Sequence, residues 1–228
     1  MKKILLAATV AVACSATAAN AASTATLQVK GLLTNAACTP VVNGGAEVDY
    51  GRIHLSELSA TSVNQLGHKT ANLVITCPTA TKAAWTISDD RADSHPGASV
   101  ISISNGDYAN ATVSDTTLSY GVGLAGNVKI GAFSVYTDLA NVTADSVKVD
   151  AISSAVSTTA WAKSTSGAIK NGNLEMMSVA ASGTTEPVAF TTATFPLITS
   201  LAIQDTATLA ITDDTNLDGQ ATITIKYL

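Results

Sequence analysis

The chain has 228 residues, a formal net charge of −5 and only 13% charged side chains. An acidic balance without any run of Lys or Arg argues against nucleic-acid binding. The lack of an apolar run of about 18 residues argues against a membrane-spanning helix. The length suits one hydrophobic core, with room for a long insertion.

The N-terminus has the pattern of a secretory signal peptide, predicted to cover residues 1–21. Lys2 and Lys3 form a positive start, residues 4–13 are uncharged and apolar, and Ala19-Asn20-Ala21 has the small residues that precede cleavage. We therefore expect an exported mature chain of residues 22–228. The alternative is lipid attachment at Cys14, whose preceding residues form a weak lipobox without its usual Leu.

Two cysteines remain after this cleavage, Cys38 and Cys77. In an oxidising compartment such a pair is typical of a disulfide. The bond would close a loop of about 40 residues and contribute about 4 kcal/mol through chain entropy. Two free thiols are the alternative. A metal site is not expected, because these cysteines and three scattered histidines offer too few ligands.

Apolar and polar residues alternate through most of the remaining chain, which predicts short β-strands. The predicted strands are 25–33, 73–77, 83–88, 100–103, 128–136, 147–152, 197–203, 207–211 and 221–228. Residues 56–66 have enough periodicity for one short helical turn only. Many short strands separated by Gly, Asn, Asp and Ser predict an all-β antiparallel sandwich. Residues 105–172, which are less clearly patterned, would be a β-rich insertion within it.

The first predicted strand has two interpretations. Leu27, Val29, Gly31 and Leu33 share one face, on which Gly31 leaves a gap. The strand can be an ordinary part of its own sandwich. Since termini are loosely held, it can instead detach and slide into a groove of another molecule, where a glycine passes a bulky neighbour.

The C-terminus ends on a hydrophobic strand. Ile223, Ile225 and Tyr227 alternate with polar residues, and the chain stops at Leu228. Such a strand needs a pairing partner, because an unpaired hydrophobic edge promotes aggregation. A strand of the protein's own core meets this need, and so does a strand that another protein covers.

Neither catalytic nor metal-binding patterns are convincing. Residues 93–95 (Asp-Ser-His) have the residue types of a triad without the strand–helix context that presents a nucleophile. Residues 214–219 begin like a calcium loop, but Ile225 occupies the position of the bidentate Glu. His54 and His68 stand beside polar residues, and Trp85 and Trp161 are expected to pack rather than to stack on sugars. We therefore expect no enzyme, no metal and no cofactor.

Together the two ends resemble those of chaperone–usher fimbrial subunits, the pilins. In that family a strand containing glycine precedes the first cysteine of a disulfide, as Gly31 precedes Cys38 by seven residues, and the second cysteine follows some 40 residues on. Residues 218–228 resemble the last pilin strand with its penultimate tyrosine, here Tyr227. Residues 43–51 and this ending are most similar to a fimbria-like branch known mainly as a domain of unknown function.

The resemblance implies an incomplete immunoglobulin-like sandwich that lacks its last strand and is completed by a donor strand. Residues 22–35 would be the donor segment, whose Leu27, Val29 and Leu33 fill pockets of the neighbouring subunit while Gly31 passes a narrow point. A periplasmic chaperone would first pair along the C-terminal strand; its contacts would be Ile223, Ile225, Tyr227 and Leu228.

The implied function is that of a structural subunit of a surface fimbria that supports adhesion. Such a subunit polymerises by donor-strand complementation after export through the periplasm. Its partners would be the chaperone, an outer-membrane usher and neighbouring subunits. The alternative is a periplasmic or surface binding protein with a complete sandwich, such as a sugar-binding adhesin.

Overall fold

The computed structural model describes residues 37–43, 47–104 and 112–228, all of which belong to one compact unit. The predicted signal peptide and the predicted donor residues Leu27, Val29, Gly31 and Leu33 lie outside the described residues. The strands are β1 (Thr39–Asn43), β2 (Asn64–Thr81), β3 (Ala83–Asp89), β4 (Ile103–Ser104), β5 (Thr112–Val113), β6 (Ser119–Gly121), β7 (Leu124–Ala125), β8 (Val128–Lys129), β9 (Gly131–Thr137), β10 (Thr143–Ala144), β11 (Val147–Lys148), β12 (Asp150–Ala155), β13 (Ala162–Lys163), β14 (Glu175–Ala180), β15 (Phe190–Ile203) and β16 (Ala221–Tyr227). The helices are α1 (Thr206–Leu209) and three 3₁₀ turns at Leu55–Glu57, Ala92–Ser94 and Leu139–Asn141.

Two antiparallel sheets face each other, which confirms the predicted all-β sandwich. The first sheet places β1, β2, β15, β9 and β6 side by side, and the short pair β10–β11 joins β15 beyond the end of β9. The second sheet has the order β13-β12-β14-β3-β16. Two further hairpins, β4–β5 and β7–β8, stand beside the sheets. The strands from the predicted insertion therefore complete both sheets.

The main core lies between the two sheets. Alternate residues of β2 (Leu73, Ile75 and Cys77) face alternate residues of β3, including the fully buried Trp85. Trp85 packs edge-on against Phe195 of β15, with ring centroids 5.7 Å apart. The period of two found in the sequence thus arises because each strand buries one face in this layer.

The first sheet extends beyond the sandwich, because β2 has 18 residues and β15 has 14. The extended part is covered on both faces. One face carries a cluster around Ile101, Ile103 and Ala202, and the other face a cluster around Ile130 and Leu201. These smaller cores fix the loops that follow β1 and β3.

The predicted strand at 207–211 is wrong. Residues 206–209 form the helix α1, which Asp205 caps by accepting the amide N–H of Thr208 at 2.8 Å. Ala210 ends the helix with a positive φ of 47°. Leu209 is buried in the extended core, so the apolar pattern reflects one buried side chain and not a strand face.

Other predicted elements are confirmed with adjusted limits. The regions 73–77, 83–88, 197–203 and 221–228 lie on β2, β3, β15 and β16. The region 128–136 is divided at Ile130, and the region 147–152 at Val149, whose N–H donates to the carbonyl of Val142. The helical turn expected in 56–66 is the 3₁₀ turn at Leu55–Glu57.

Candidate functional site: a groove between two sheet edges

The candidate site is the groove between β1 and β16, the edge strands of the two sheets. Among the described residues, β1 pairs only with β2, and β16 pairs only with β3. Both edges lie on the same side of the sandwich and run antiparallel, since Cys38 contacts Tyr227 while Val42 and Ile223 line one cavity. We call this feature the edge groove.

The inner wall of the edge groove is apolar. Its cavity measures about 460 Å³ and is lined by Pro40, Val41, Val42, Leu73 and Ile223. Val42, Ile223 and Ile225 are half-buried and pack against the main core. The hydrophobic layer between the sheets is therefore incompletely covered along this side.

Every second residue of β16 directs its backbone N–H and C=O groups toward the edge groove. The N–H of Asp90 donates to the carbonyl of Gln220 at 3.0 Å, and the N–H of Leu228 donates to the carbonyl of Lys82 at 3.1 Å. These bonds fix the even-numbered residues of β16 as the ones bonded to β3, because the two kinds of pair alternate in an antiparallel ladder. The N–H and C=O groups of Ala221, Ile223, Ile225 and Tyr227 therefore point away from β3.

The backbone of β1 is held by the predicted disulfide, which the structure confirms. Cys38 lies opposite Cys77 in the register of β1 and β2, and their Cα atoms are 4.1 Å apart. A Cα–Cα distance this short is typical of two opposed residues in an antiparallel ladder that exchange no backbone hydrogen bonds with each other. Cys38, Pro40 and Val42 thus turn their backbone toward the edge groove, and Pro40 has no N–H to offer.

One hydrogen bond crosses the edge groove. The amide N–H of Cys38 donates to the hydroxyl of Tyr227 at a distance of 2.8 Å. The tyrosine side chain thereby joins the last residue of β16 to the start of β1, although 46% of Tyr227 is exposed. We call this end of the groove the closed end, and the end near Val42 and Ala221 the open end.

The segment leading into β16 is anchored at the open end. Arg91 forms an ion pair with Asp218, with Nη2 and Oδ2 3.0 Å apart, and the N–H of Asp218 donates to the carbonyl of Val122 at 2.8 Å. Gly219 packs closely there, because a Cβ on it would lie 3.0 Å from the ring of Phe133 and the ring would have to shift slightly. These contacts fix the direction in which β16 begins.

A second cavity of about 600 Å³ lies beside this anchor and is lined by residues of the β3–β4 loop together with Gly123, Leu124 and Asp218. Burial raises the pKa of Asp89, although its carboxylate accepts the N–H groups of Arg91 and Gly121. Through these two hydrogen bonds, the Asp89 carboxylate has a structural role in the loop that follows β3. Across residues 37–43, 47–104 and 112–228, no three His, Cys, Asp or Glu side chains are grouped so that they could hold a metal ion.

The most enzyme-like contact is a hydrogen bond between His95 and Ser119, whose Nε2 and Oγ are 2.8 Å apart. The other ring nitrogen, Nδ1, accepts the N–H of Gly97, so Nε2 carries the proton and donates to Ser119. Ser119 in turn donates to the carbonyl of Asp115. A histidine that acts as a general base must accept the proton of its serine. Here the histidine donates its proton to the serine instead. The pair therefore joins the end of the 3₁₀ turn at Ala92–Ser94 to the start of β6.

The other histidines and tryptophans considered in the sequence analysis lie in the core or on the surface. Trp85 is fully buried and has no hydrogen-bond partner for its indole N–H, so it packs in the core as expected. His54 and His68 lie on exposed surface, and Trp161 is half-buried. Within the described part of the chain, no helix is long and apolar enough to cross a membrane.

Ile223, Ile225 and Tyr227 lie on one strand, β16, as their spacing predicted, and the structure places that strand beside the edge groove. Sequence reasoning missed Pro40 and the backbone N–H of Cys38. None of the predicted strands included β1, so the preference of proline for sheet edges could not be applied to Pro40. The bond from Cys38 to Tyr227 joins residues 189 positions apart and left no local signal.

Comparisons with known proteins place the chain in a family. Residues 27–134 match the profile described as "Protein of unknown function (DUF1120)". The chain is also 34% identical over 262 aligned positions to the protein named "Protein GltF" of Escherichia coli (strain K12), covering 100% of this chain and 99% of GltF. The chain belongs to the DUF1120 family. It is likewise 30% identical to "Uncharacterized protein YhcF" of the same strain over 99% of this chain and 98% of YhcF.

The matched region contains one of the two strands that form the edge groove. It includes residues 27–33, both cysteines and the strands from β1 to β8, and it ends within β9, well before β16. The expected relation to a domain of unknown function is thereby confirmed at the level of the family.

Proposed function

We propose that this protein is a structural subunit of a chaperone–usher fimbria that polymerises by donor-strand complementation. The edge groove carries the proposal: two sheet edges flank an apolar cavity, and the backbone groups of β16 point into it. Exposed edges of this kind bind an added strand, which gains main-chain hydrogen bonds and places alternate side chains in pockets. The proposed role is assembly and surface adhesion, without catalysis or a cofactor.

The proposed occupant is the donor segment of a second copy. Residues 27–33 alternate apolar and polar side chains, and their length of seven residues equals that of β16. A strand paired with β16 would direct Leu27, Val29 and Leu33 between the sheets, beside Ile223 and Ile225. Burying three such side chains contributes about 5–9 kcal/mol before entropic costs. This energy supports a fibre held together without covalent links.

A periplasmic chaperone is the proposed partner of the same edge before assembly. Its strand would pair with Ile223, Ile225 and Tyr227, and its basic residues would bind the terminal carboxylate of Leu228. Leu228 is 45% exposed at the end of β16, which supports such a contact. Transfer at an outer-membrane usher would then exchange this strand for the donor segment of the next subunit and deliver the subunit to the cell surface.

Substitution of Gly31 tests this function. Gly31→Leu adds a branched side chain to the inward face of the donor strand, and overpacking costs about 1–3 kcal/mol or more. We expect detergent-resistant polymer to disappear while the subunit still accumulates with its chaperone. Lys30→Leu is the matched control, because it adds the same side chain to the opposite face and leaves polymer intact.

The competing interpretation predicts a different result. If residues 27–33 belong to the protein's own complete sandwich, Gly31→Leu lowers the melting temperature of the monomer. An unchanged polymer yield with Gly31→Leu, or a large loss of monomer stability, would contradict the proposal.

A further inference from the structure

The edge groove changes in depth along its length. Its cavity of about 460 Å³ lies toward the open end, where Val42 and Leu73 of the first sheet face Ile223 of the second. Cys38 and Tyr227, at the closed end, are not among the described residues that line this cavity. The groove is therefore deep at the open end and shallow at the closed end.

The ring of Tyr227 makes the closed end shallow. Ile223 and Ile225 turn inward and pack against the main core, and Tyr227 lies on the same face of β16 because side chains alternate along a strand. Its hydroxyl accepts the N–H of Cys38 at 2.8 Å, so the side chain spans the groove from β16 to the start of β1. Since 46% of Tyr227 is exposed, an added strand would lie directly against it.

A strand that pairs with β16 has to match this change in depth. Opposed residues of paired strands place their side chains on the same face, so the added strand presents one inward residue beside Ile223 and another, four positions away, beside Tyr227. The first residue meets the cavity, where a large apolar side chain gains the most burial. The second meets the ring, where a side chain larger than a methyl group would overpack the groove.

We infer that Tyr227 sets the side-chain specificity of the edge groove. Beside its ring the incoming strand carries alanine or glycine, and beside Ile223 it carries a large apolar residue. The inference rests on the proposed function and adds a rule for which strands fit. Tyr227 thus acts on the selection of the strand through the shape of the groove.

The proposed occupant, the donor segment of a second copy, obeys this rule in either direction. Among the inward residues of its sequence, two pairs that lie four positions apart combine one large and one small side chain. Val29 and Ala25 match a strand that runs antiparallel to β16. Leu27 and Gly31 match a strand that runs parallel to it. In both cases the residue beside the ring is small.

The test measures the affinity of labelled peptides of residues 22–35 for the full-length mature protein by fluorescence anisotropy. One peptide has the natural sequence; the second carries Ala25→Leu and Gly31→Leu, which puts a leucine beside the ring in either direction. Wild-type protein should bind the second peptide at least about fivefold more weakly, because the groove is overpacked. A control peptide with Thr26→Leu and Lys30→Leu carries its two leucines on the outward face and should bind like the natural one.

Substitution of the ring tests its role directly. Tyr227→Ala removes the ring, so the natural and the Leu-substituted peptides should bind this variant with equal affinity. Ile225→Ala is the matched control, because it removes a neighbouring inward side chain of β16; it should weaken both peptides alike and preserve the difference between them. Tyr227→Leu, whose side chain is too short to reach Cys38, gives the same readout if Tyr227→Ala is too unstable to purify.

The outcomes separate the specificity rule from the proposed function. Failure of the wild-type protein to bind the natural peptide would overturn the proposed function and the rule with it. Equal binding of the natural and the Leu-substituted peptides by wild type would overturn the rule alone. The same holds for a difference in affinity that survives in Tyr227→Ala, or that Ile225→Ala removes equally well.

Discussion

Removal of the disulfide is expected to lower the free energy of unfolding by about 4 kcal/mol. Cys38 and Cys77 are separated by 39 residues, and closing a loop of this length restricts the unfolded chain by about that amount in the entropy model. Both cysteines are buried, at 8% and 3% exposure, so Cys38→Ala/Cys77→Ala also loses a small amount of packing. The loss would be a large part of the stability of an ordinary domain.

The measurement is urea unfolding of the mature protein, for wild type and the double variant at one pH. Dithiothreitol provides the control: it should lower the stability of wild type to that of the variant and leave the variant unchanged. Thiol labelling of denatured, unreduced wild type should find no free cysteine. A difference below about 1 kcal/mol would refute the argument from loop closure, because the unfolded chain would then gain little freedom.

Two further predictions concern the loops beside the open end. Burial lowers the pKa of His95 in the folded protein, so as the pH falls below about 6.5 the unfolded chain binds a proton before the folded chain does. The free energy of unfolding of wild type should therefore fall by up to about 1.4 kcal/mol per pH unit in that range. A His95→Gln variant should show a flatter pH dependence in urea titrations. Arg91→Gln breaks an exposed ion pair with Asp218 and should cost less than about 1 kcal/mol; the difference from wild type should vanish in about 1 M NaCl, and a difference that persists there would show that Arg91 acts through packing.

Sequence patterns predicted the strands that bury one face in the main core. Leu73, Ile75 and Cys77 alternate strictly because the other face of β2 stays more accessible, and Ile223 and Ile225 do the same on β16. The disulfide was predictable from the number of cysteines and the expected compartment. These features depend on local spacing or composition alone.

The order of strands could not be predicted in this way. Whether β1 and β16 lie on the same side of the sandwich depends on which sheet each strand joins, and that choice follows from packing between distant segments. The helix α1 was missed for a related reason, because the cap formed by Asp205 outweighs a short alternating pattern. The edge groove itself therefore emerged only from the structure.

The pairing of β16 with β3 has a consequence for how the chain folds. Thr222 donates to Asp90 across 132 positions of sequence, and β3 has β14 on its other side. Contacts between residues so distant in sequence form slowly. One edge of β3 and the face of Trp85 therefore stay uncovered until the last strand of the chain arrives, and in that interval the tryptophan strand is open to any other extended segment nearby.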